Sequence, residues 1–118
     1  MSYCIYLRKS RADSEAEMRG EGETLARHEK TLTELAQRMK LKISKIYREI
    51  VSGETIAARP EMQKLLADVS GKMWDGVLVM DIDRLARGNS IDQGIISQTF
   101  RYAGTKIITP LKIYDPNN

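Results

Sequence analysis

Several protein classes drop out because of what this chain has too little of. It contains one cysteine, Cys4, so no intrachain disulfide can form. That thiol lies inside an apolar run and reads as a small buried hydrophobe of a reducing compartment. His28 is the sole histidine, and no Cys/His spacing suited to a metal exists. The carboxylates of 13–23 follow no calcium-loop pattern. No apolar run approaches the roughly 20 residues needed to cross a bilayer. The opening Met1-Ser2-Tyr3-Cys4-Ile5 has neither the basic leader nor the longer apolar stretch of a signal peptide, so a cytoplasmic protein is expected. There is no internal repeat, no low-complexity tract and no Gly-rich phosphate loop.

What remains is an ordinary soluble composition. The chain has 118 residues, 42% of them hydrophobic and 30% charged, which suits one domain with a single core. A net charge of +3 and a pI near 9.1 permit an anionic partner without requiring one.

Hydrophobic patterning predicts alternating strands and helices. Residues 3–8 form a continuous rather than alternating run, as in a strand buried on both faces. Residues 11–23 carry both charge signs and two glycines and read as an exposed loop. A helix is expected from about Thr24, with Leu25, Leu32, Leu35, Ala36 and Met39 as its apolar stripe and His28 on that stripe. Residues 43–51 fit a helical template through Ile43, Ile46, Tyr47, Ile50 and Val51, but β-branched enrichment and short length favour a strand. After the break at Ser52-Gly53-Glu54, Pro60 reads as the first position of a helix with Met62, Leu65, Leu66 and Val69 inward and Gly71 as its stop. A strand is expected over 77–82, then a helix from the N-cap Ser90 with Ile91, Ile95 and Tyr102 inward and Gly104 at its end. Lys106-Ile107-Ile108-Thr109 makes a last strand before Pro110, and the tail 111–118 shows no helix or core. Its stop at Asn117-Asn118 suggests a fragment of a longer polypeptide. This order predicts a three-layer α/β sandwich: a central, mostly parallel sheet of about four or five strands with flanking helices.

The chemistry concentrates at strand exits. Ser10 follows Arg8 at the end of the first strand, among Arg8, Lys9 and Arg11. The run 77–80 exits into Asp83-Arg84-Leu85-Ala86-Arg87. In open α/β sheets ligands bind beyond the carboxyl ends of the strands, so a hydroxyl, a carboxylate and several guanidiniums are expected at one edge. A serine hydroxyl becomes nucleophilic when a base or nearby positive charge favours its deprotonated form. In a helix or turn, Arg84 and Arg87 lie about one turn apart and can bracket a tetrahedral phosphate. Arg59 takes the N-cap position before Pro60, where its charge opposes the positive helix terminus. A phosphate near that terminus would relieve the conflict; the plain alternative is a side chain extended into solvent. Likewise Ser10 is read alternatively as a turn residue, Asp83-Arg84 as a solvated surface pair, and His28 as a core histidine satisfied by the backbone.

Tyr6-Leu7-Arg8-Lys9-Ser10, Ser52-Gly53-Glu54 with Arg59-Pro60, and Asp83-Arg84-Leu85-Ala86-Arg87 together resemble the catalytic domain of serine site-specific recombinases. This is the resolvase/invertase family, and the likeness is greatest to its large members among integrases and transposon recombinases. The resemblance spans nearly all of residues 1–118. It implies that Ser10 attacks a DNA phosphodiester and becomes joined to the 5′ phosphate, with Arg8, Arg59, Arg84 and Arg87 on the scissile phosphate and Asp83 in the same site, near the departing 3′ oxygen. It further implies double-stranded DNA as partner and a homodimer that assembles into a synaptic tetramer, with no cofactor, metal or ATP and no membrane. The fragment alone, lacking the family's dimerisation helix and DNA-binding domains, is expected to be a monomer or weak dimer. Many relatives carry glutamine where this chain has His28. A non-catalytic α/β domain that holds an anion or nucleic acid on its arginines is the rival reading.

Overall fold

The computed structural model describes residues 2–10, 25–51, 59–80 and 90–115. The expected loop 11–23 lies outside them. Strand β1 (Tyr3–Ser10) is followed by helix α1 (Leu25–Met39), strand β2 (Ile43–Val51), helix α2 (Pro60–Ser70), strand β3 (Gly76–Leu78), helix α3 (Ser90–Ala103) and strands β4 (Lys106–Ile108) and β5 (Ile113–Tyr114). The strands form one sheet in the order β2-β1-β3-β4-β5, parallel except where β5 pairs antiparallel to β4.

β1 lies inside the sheet, with β2 on one side and β3 on the other, which explains its unbroken apolar run. Cys4 and Tyr6 enter a core with Met62, Leu65 and Val69 of α2 and Ile96 and Phe100 of α3. Ile5 and Leu7 enter the opposite core with Leu32, Leu35 and Ala36 of α1. The expected three-layer sandwich is therefore present, with α2 and α3 on one face and α1 on the other. His28 of α1 is buried, on the apolar stripe where the pattern put it.

The helical look of 43–51 has a structural cause. Register slips between Tyr3↔Ile43 and Cys4↔Lys45, so Ser44 is an extra residue in β2. A bulge of one residue puts Ile43 and Ile46 on the same face, in the α1 core, although they are three apart. Beyond the bulge Tyr47 faces the other core.

Gly71 ends α2 as its C-cap, as expected, with an ordinary φ of −79°. Three expectations are corrected. The strand expected over 77–82 is β3, Gly76–Leu78; residues 81 and 82 lie outside the described ones. The tail, expected to show no helix or core, contributes β5 and packs Tyr114 against the core, because Thr109 and Lys112 close a tight turn in which the Thr109 N–H donates to Lys112 O (2.9 Å) and the Lys112 N–H to Thr109 Oγ1 (2.9 Å). Two strand residues are too few to leave a periodic signal. Finally, α3 buries Ile96 and Phe100 instead of Ile95 and Tyr102, which are 44% and 72% exposed. Both sets recur at helical spacing, and the stripe holding Phe100 wins because it fills the space against α2. Ile91 has no described side chain.

A side chain at the first position of β3 would force its neighbours to shift. A Cβ on Gly76 would stand 2.9 Å from the Tyr3 ring and 3.1 Å from Ile108 Cδ1. The choice of α3 face is testable with two adjacent isoleucines. Ile96→Ala is expected to cost about 2–5 kcal/mol of folding free energy and Ile95→Ala less than about 1 kcal/mol, read by urea denaturation. Equal losses would contradict the assigned face.

Candidate active site

The sheet order turns back on itself between β1 and β3: the chain leaves β1 toward β2 on one side and later returns to β3 on the other. Ligands of open α/β sheets bind at such a switch, beyond the carboxyl ends of the strands. At this edge β1 outruns β3. Its pairing with β3 stops at Ile5↔Leu78, while its pairing with β2 continues to Arg8↔Glu49 and Ser10↔Val51. Ser10 is thus the last residue of β1 rather than a residue beyond it.

Strand alternation sets Tyr6 and Arg8 on the α2 side of the sheet, opposite Tyr47 and Glu49 of β2. All four are buried. Glu49 is the hub. Its Oε1 accepts hydrogen bonds from Tyr6 Oη at 2.6 Å and from the Met62 backbone N–H at 3.1 Å, and its Oε2 accepts from the Glu61 N–H at 2.7 Å. A β-strand carboxylate therefore caps the first turn of α2, a task usually done by the residue immediately before a helix. Arg59 occupies that preceding position and makes no side-chain cap bond.

Arg59 is fully buried. The solvent-extended alternative is corrected, and so is the need for a phosphate to relieve the helix terminus, because the Glu49 carboxylate already satisfies two of its N–H groups. Burial of two guanidiniums is costly unless their charge is answered. Glu49 is the buried carboxylate among the described residues, and Arg8 is its ladder partner across β1 and β2. Arg8 Nε and Nη1 and Arg59 Nε are buried N–H donors with no hydrogen bond, while both side chains have other interactions.

The fields of these groups converge on the Tyr6 phenol. Burial pushes its pKa well above the ordinary tyrosine value, and the hydrogen bond to Glu49 and that carboxylate's charge push it further; Arg59 and Arg8 act in the opposite direction. Deeper under the same face, Trp74 Nε1 donates to Tyr47 Oη at 3.0 Å and Tyr47 Oη donates to Asp68 Oδ2. Burial and the Asp68 bond raise the Tyr47 pKa. Burial, reinforced by Asp68, holds the Cys4 thiol protonated, which suits the inert core role expected for it.

The structure thus brings together Arg8 and Arg59 from islands 51 positions apart, at the exit of the strand ending in Ser10. Asp83, Arg84 and Arg87, and the turn Ser52-Gly53-Glu54, lie outside the described residues, and so does the expected helix start at Thr24. Glu49 and Tyr6 are the members that sequence reasoning did not single out as polar site residues. The available signal was a lone carboxylate in the apolar segment Ile46-Tyr47-Arg48-Glu49-Ile50-Val51, where burial without partners is prohibitive. No group of His, Cys, Asp and Glu suited to holding a metal occurs among the described residues. Nor is any described helix long and apolar enough to cross a membrane.

Comparison with known proteins matches residues 3–117 to the family model "Resolvase, N terminal domain". Among solved structures, the C-terminal catalytic domain of ISC1926 TnpA, an IS607-like serine recombinase, superposes with a TM-score of 0.73 at 27% identity, covering 92% of this chain and 67% of that one. The N-terminal catalytic domain of TP901-1 integrase gives 0.72 at 25% identity, with 92% and 76% covered. A resolvase family site-specific recombinase from Streptococcus pneumoniae, at 19% identity and a TM-score of 0.69 over 92% and 71%, shares the fold.

The buried acids generate a pH dependence. Cys4, Tyr6 and Tyr47 bind their protons more tightly in the folded chain than in the unfolded one. Above their ordinary values, near pH 9 to 10, the unfolded chain holds fewer protons, so stability falls as pH rises. Below about pH 8 these groups contribute no slope. The urea midpoint is expected to drop between about pH 8 and pH 10.5, and Tyr6→Phe to shallow that drop. An unchanged midpoint would show that these groups are not held as described.

Proposed function

Because the chain belongs to the resolvase N-terminal-domain family, a family of DNA strand-transfer enzymes that carry out site-specific recombination, we propose that Ser10 is the nucleophile of this reaction and that Arg8, Arg59, Arg84 and Arg87 hold the scissile phosphate. In this reading Ser10 Oγ attacks the phosphorus of a DNA phosphodiester. The bond from phosphorus to the 3′ oxygen breaks as the bond to Oγ forms, leaving a 5′-phosphoseryl linkage. The 3′ oxygen leaves with a proton, and Asp83 is assigned to that end of the site. Rejoining reverses the step with a different 3′ hydroxyl. The phosphoserine keeps the energy of the phosphodiester, so the exchange has no need of ATP.

The observation that carries this assignment is the pair of buried guanidiniums, Arg8 and Arg59, at the exit of the strand that ends in Ser10. Two guanidiniums held in place at the strand ends present fixed positive charge and donors suited to a phosphate. A transition state with five oxygens on phosphorus carries more negative charge than the diester it comes from. Fixed cations therefore stabilise it more than they stabilise bound substrate, which is the condition for faster chemistry.

The family implies DNA binding and oligomerisation. We assign the finer partners accordingly: double-stranded DNA, and a homodimer that pairs into a synaptic tetramer so that four strands are cut and exchanged. Residues 1–118 are assigned to the catalytic domain.

The test is a denaturing gel of the protein with a nicked suicide duplex carrying its recombination site. Wild type is expected to give a covalent protein–DNA band and Ser10→Ala none. Arg8→Ala and Arg59→Ala are each expected to slow its appearance by about 100- to 1000-fold, the cost of losing one preorganised donor to a developing oxyanion. An adduct with Ser10→Ala would overturn the nucleophile. Binding of the duplex by wild type and Ser10→Ala alike, with no adduct in either, would instead favour a non-catalytic DNA-binding domain.

A further inference from the structure

The edge of the sheet opposite Ser10, where the parallel strands begin and the described helices end, carries exposed cations in an unusual setting. All three helices close there with the same backbone turn. After α1 the Leu41 N–H donates to Ala36 O and the Lys40 N–H to Gln37 O; after α2 the Met73 N–H donates to Asp68 O and the Lys72 N–H to Val69 O. After α3 the Thr105 N–H donates to Phe100 O and the Gly104 N–H to Arg101 O. In this motif the residue following the C-cap is left-handed, a conformation suited to glycine because a Cβ strains it. α3 uses Gly104 at φ 69°, whereas α1 and α2 use Lys40 and Lys72, both at φ 58°. Two exposed lysines thus stand where glycine would be more stable. A local choice that works against stability points to a task elsewhere.

Two more exposed lysines open neighbouring strands: Lys42 precedes β2 and Lys106 begins β4. Backbone hydrogen bonds fix them in one row, from the Tyr3 N–H to Lys42 O (3.1 Å), the Asp75 N–H to Ser2 O (2.8 Å) and the Lys106 N–H to Asp75 O (3.0 Å). At about 4.8 Å per strand, β2 and β4 lie about 14 Å apart across β1 and β3. Lys72 Nζ stands 5.4 Å from the ring centroid of the exposed Tyr102, so an aromatic face borders the lysines. Asp75 and Asp115 share this edge, and Asp75 Oδ2 is engaged by the Ser2 N–H at 2.7 Å. The attraction of cations to helix C-termini accounts for Arg38 and Arg101 in the last turns of α1 and α3. It does not account for lysines on strand starts, nor for a strained lysine where glycine fits.

We propose that this edge is a second DNA-binding face, which holds the phosphate backbone of a duplex without regard to sequence. A straight row fixed by the sheet backbone suits a regular polyanion better than a flexible acidic peptide. One DNA strand carries a charge per 3.4 Å of helix axis, so about four phosphates lie along the row. Because the two edges are at opposite ends of the strands, one domain can touch two DNA segments and raise the local concentration of the second. The inference goes beyond strand transfer at Ser10; the choice of DNA as partner rests on that reading.

The probe is a short fluorescent duplex without a recombination site, its binding to the chain read by anisotropy between 50 and 200 mM salt. Four lysines on four phosphates account for a loss of affinity of about 100-fold across that range. Lys40→Gly with Lys72→Gly is expected to weaken binding by about 10- to 100-fold at 50 mM salt and to flatten the salt slope by about 2. Its urea midpoint is expected to rise, because glycine relieves the strain. A purely structural role for these lysines gives the opposite pair, a lower midpoint with unchanged binding, and overturns the proposal. Lys42→Gln with Lys106→Gln tests the same face from the strand starts and is expected to lose affinity equally. Lys30→Gln with Lys64→Gln removes as much charge from helix surfaces off this edge and is expected to cost less than about 2-fold. In nitrogen-15 NMR spectra the amide signals of Lys40, Lys72 and Gly104 are expected to move when duplex is added. Equal weakening by the Lys30 and Lys64 pair overturns the proposal, as does movement confined to the Ser10 end of β1 or absence of duplex binding at 50 mM salt. Failure of wild type to form a Ser10 adduct would defeat the strand-transfer reading and leave these measurements intact, since the probe has no site to cleave.

Discussion

Taking the Glu49 carboxylate out of water costs several kcal/mol, and the region around the β1 exit is organised to offset it. Tyr6 turns its phenol toward the charge, α2 begins where its first free N–H groups can reach it, and Arg8 lies across the ladder. Remove the carboxylate and the Tyr6 phenol loses its acceptor, while the helix loses its cap. The same contact therefore stabilises the fold and shapes the site. The helix terminus, the strand pairing and the cationic pair are not separable features.

This arrangement depends on the sheet order. β1 is internal and outruns β3, so among the described residues the end of β1 pairs with β2 beyond its last partner in β3, at the switch point. Parallel strands send Ser10, the end of β2 and the exit of β3 to one edge, so residues remote in the chain share it. An edge position for β1 would have given Arg8 to solvent, where a guanidinium is hydrated and interacts weakly with a phosphate. Burial makes each fixed charge count for more in the transition state.

Much of this was legible along the chain. The unbroken run of β1, the helix start at Pro60 and the unfavourable N-cap Arg59 were all readable as local conflicts or preferences, and the α/β alternation followed from them. Other features were not. The bulge at Ser44 gave the strand 43–51 a helical spacing, since an inserted residue shifts a period of two toward three; β-branched content identified the strand, but not the bulge. On α3, two stripes of apolar residues competed, and only the volume left beside α2 decided between Ile95 and Ile96. Glu49 caps a helix that begins 11 positions later, on a different element, and local capping rules look only at neighbouring residues.

Sequence by itself determined which segments are apolar enough to be buried, where helices start, and which residue types meet at strand exits. It did so because periodicity, proline and charge act within a few residues of themselves. Tertiary structure alone decided that Arg8 and Arg59 are inside the protein and that a carboxylate of β2 caps α2. That outcome depends on the distance between groups far apart in the chain and on how little water reaches them, and neither is written in any local stretch of residues.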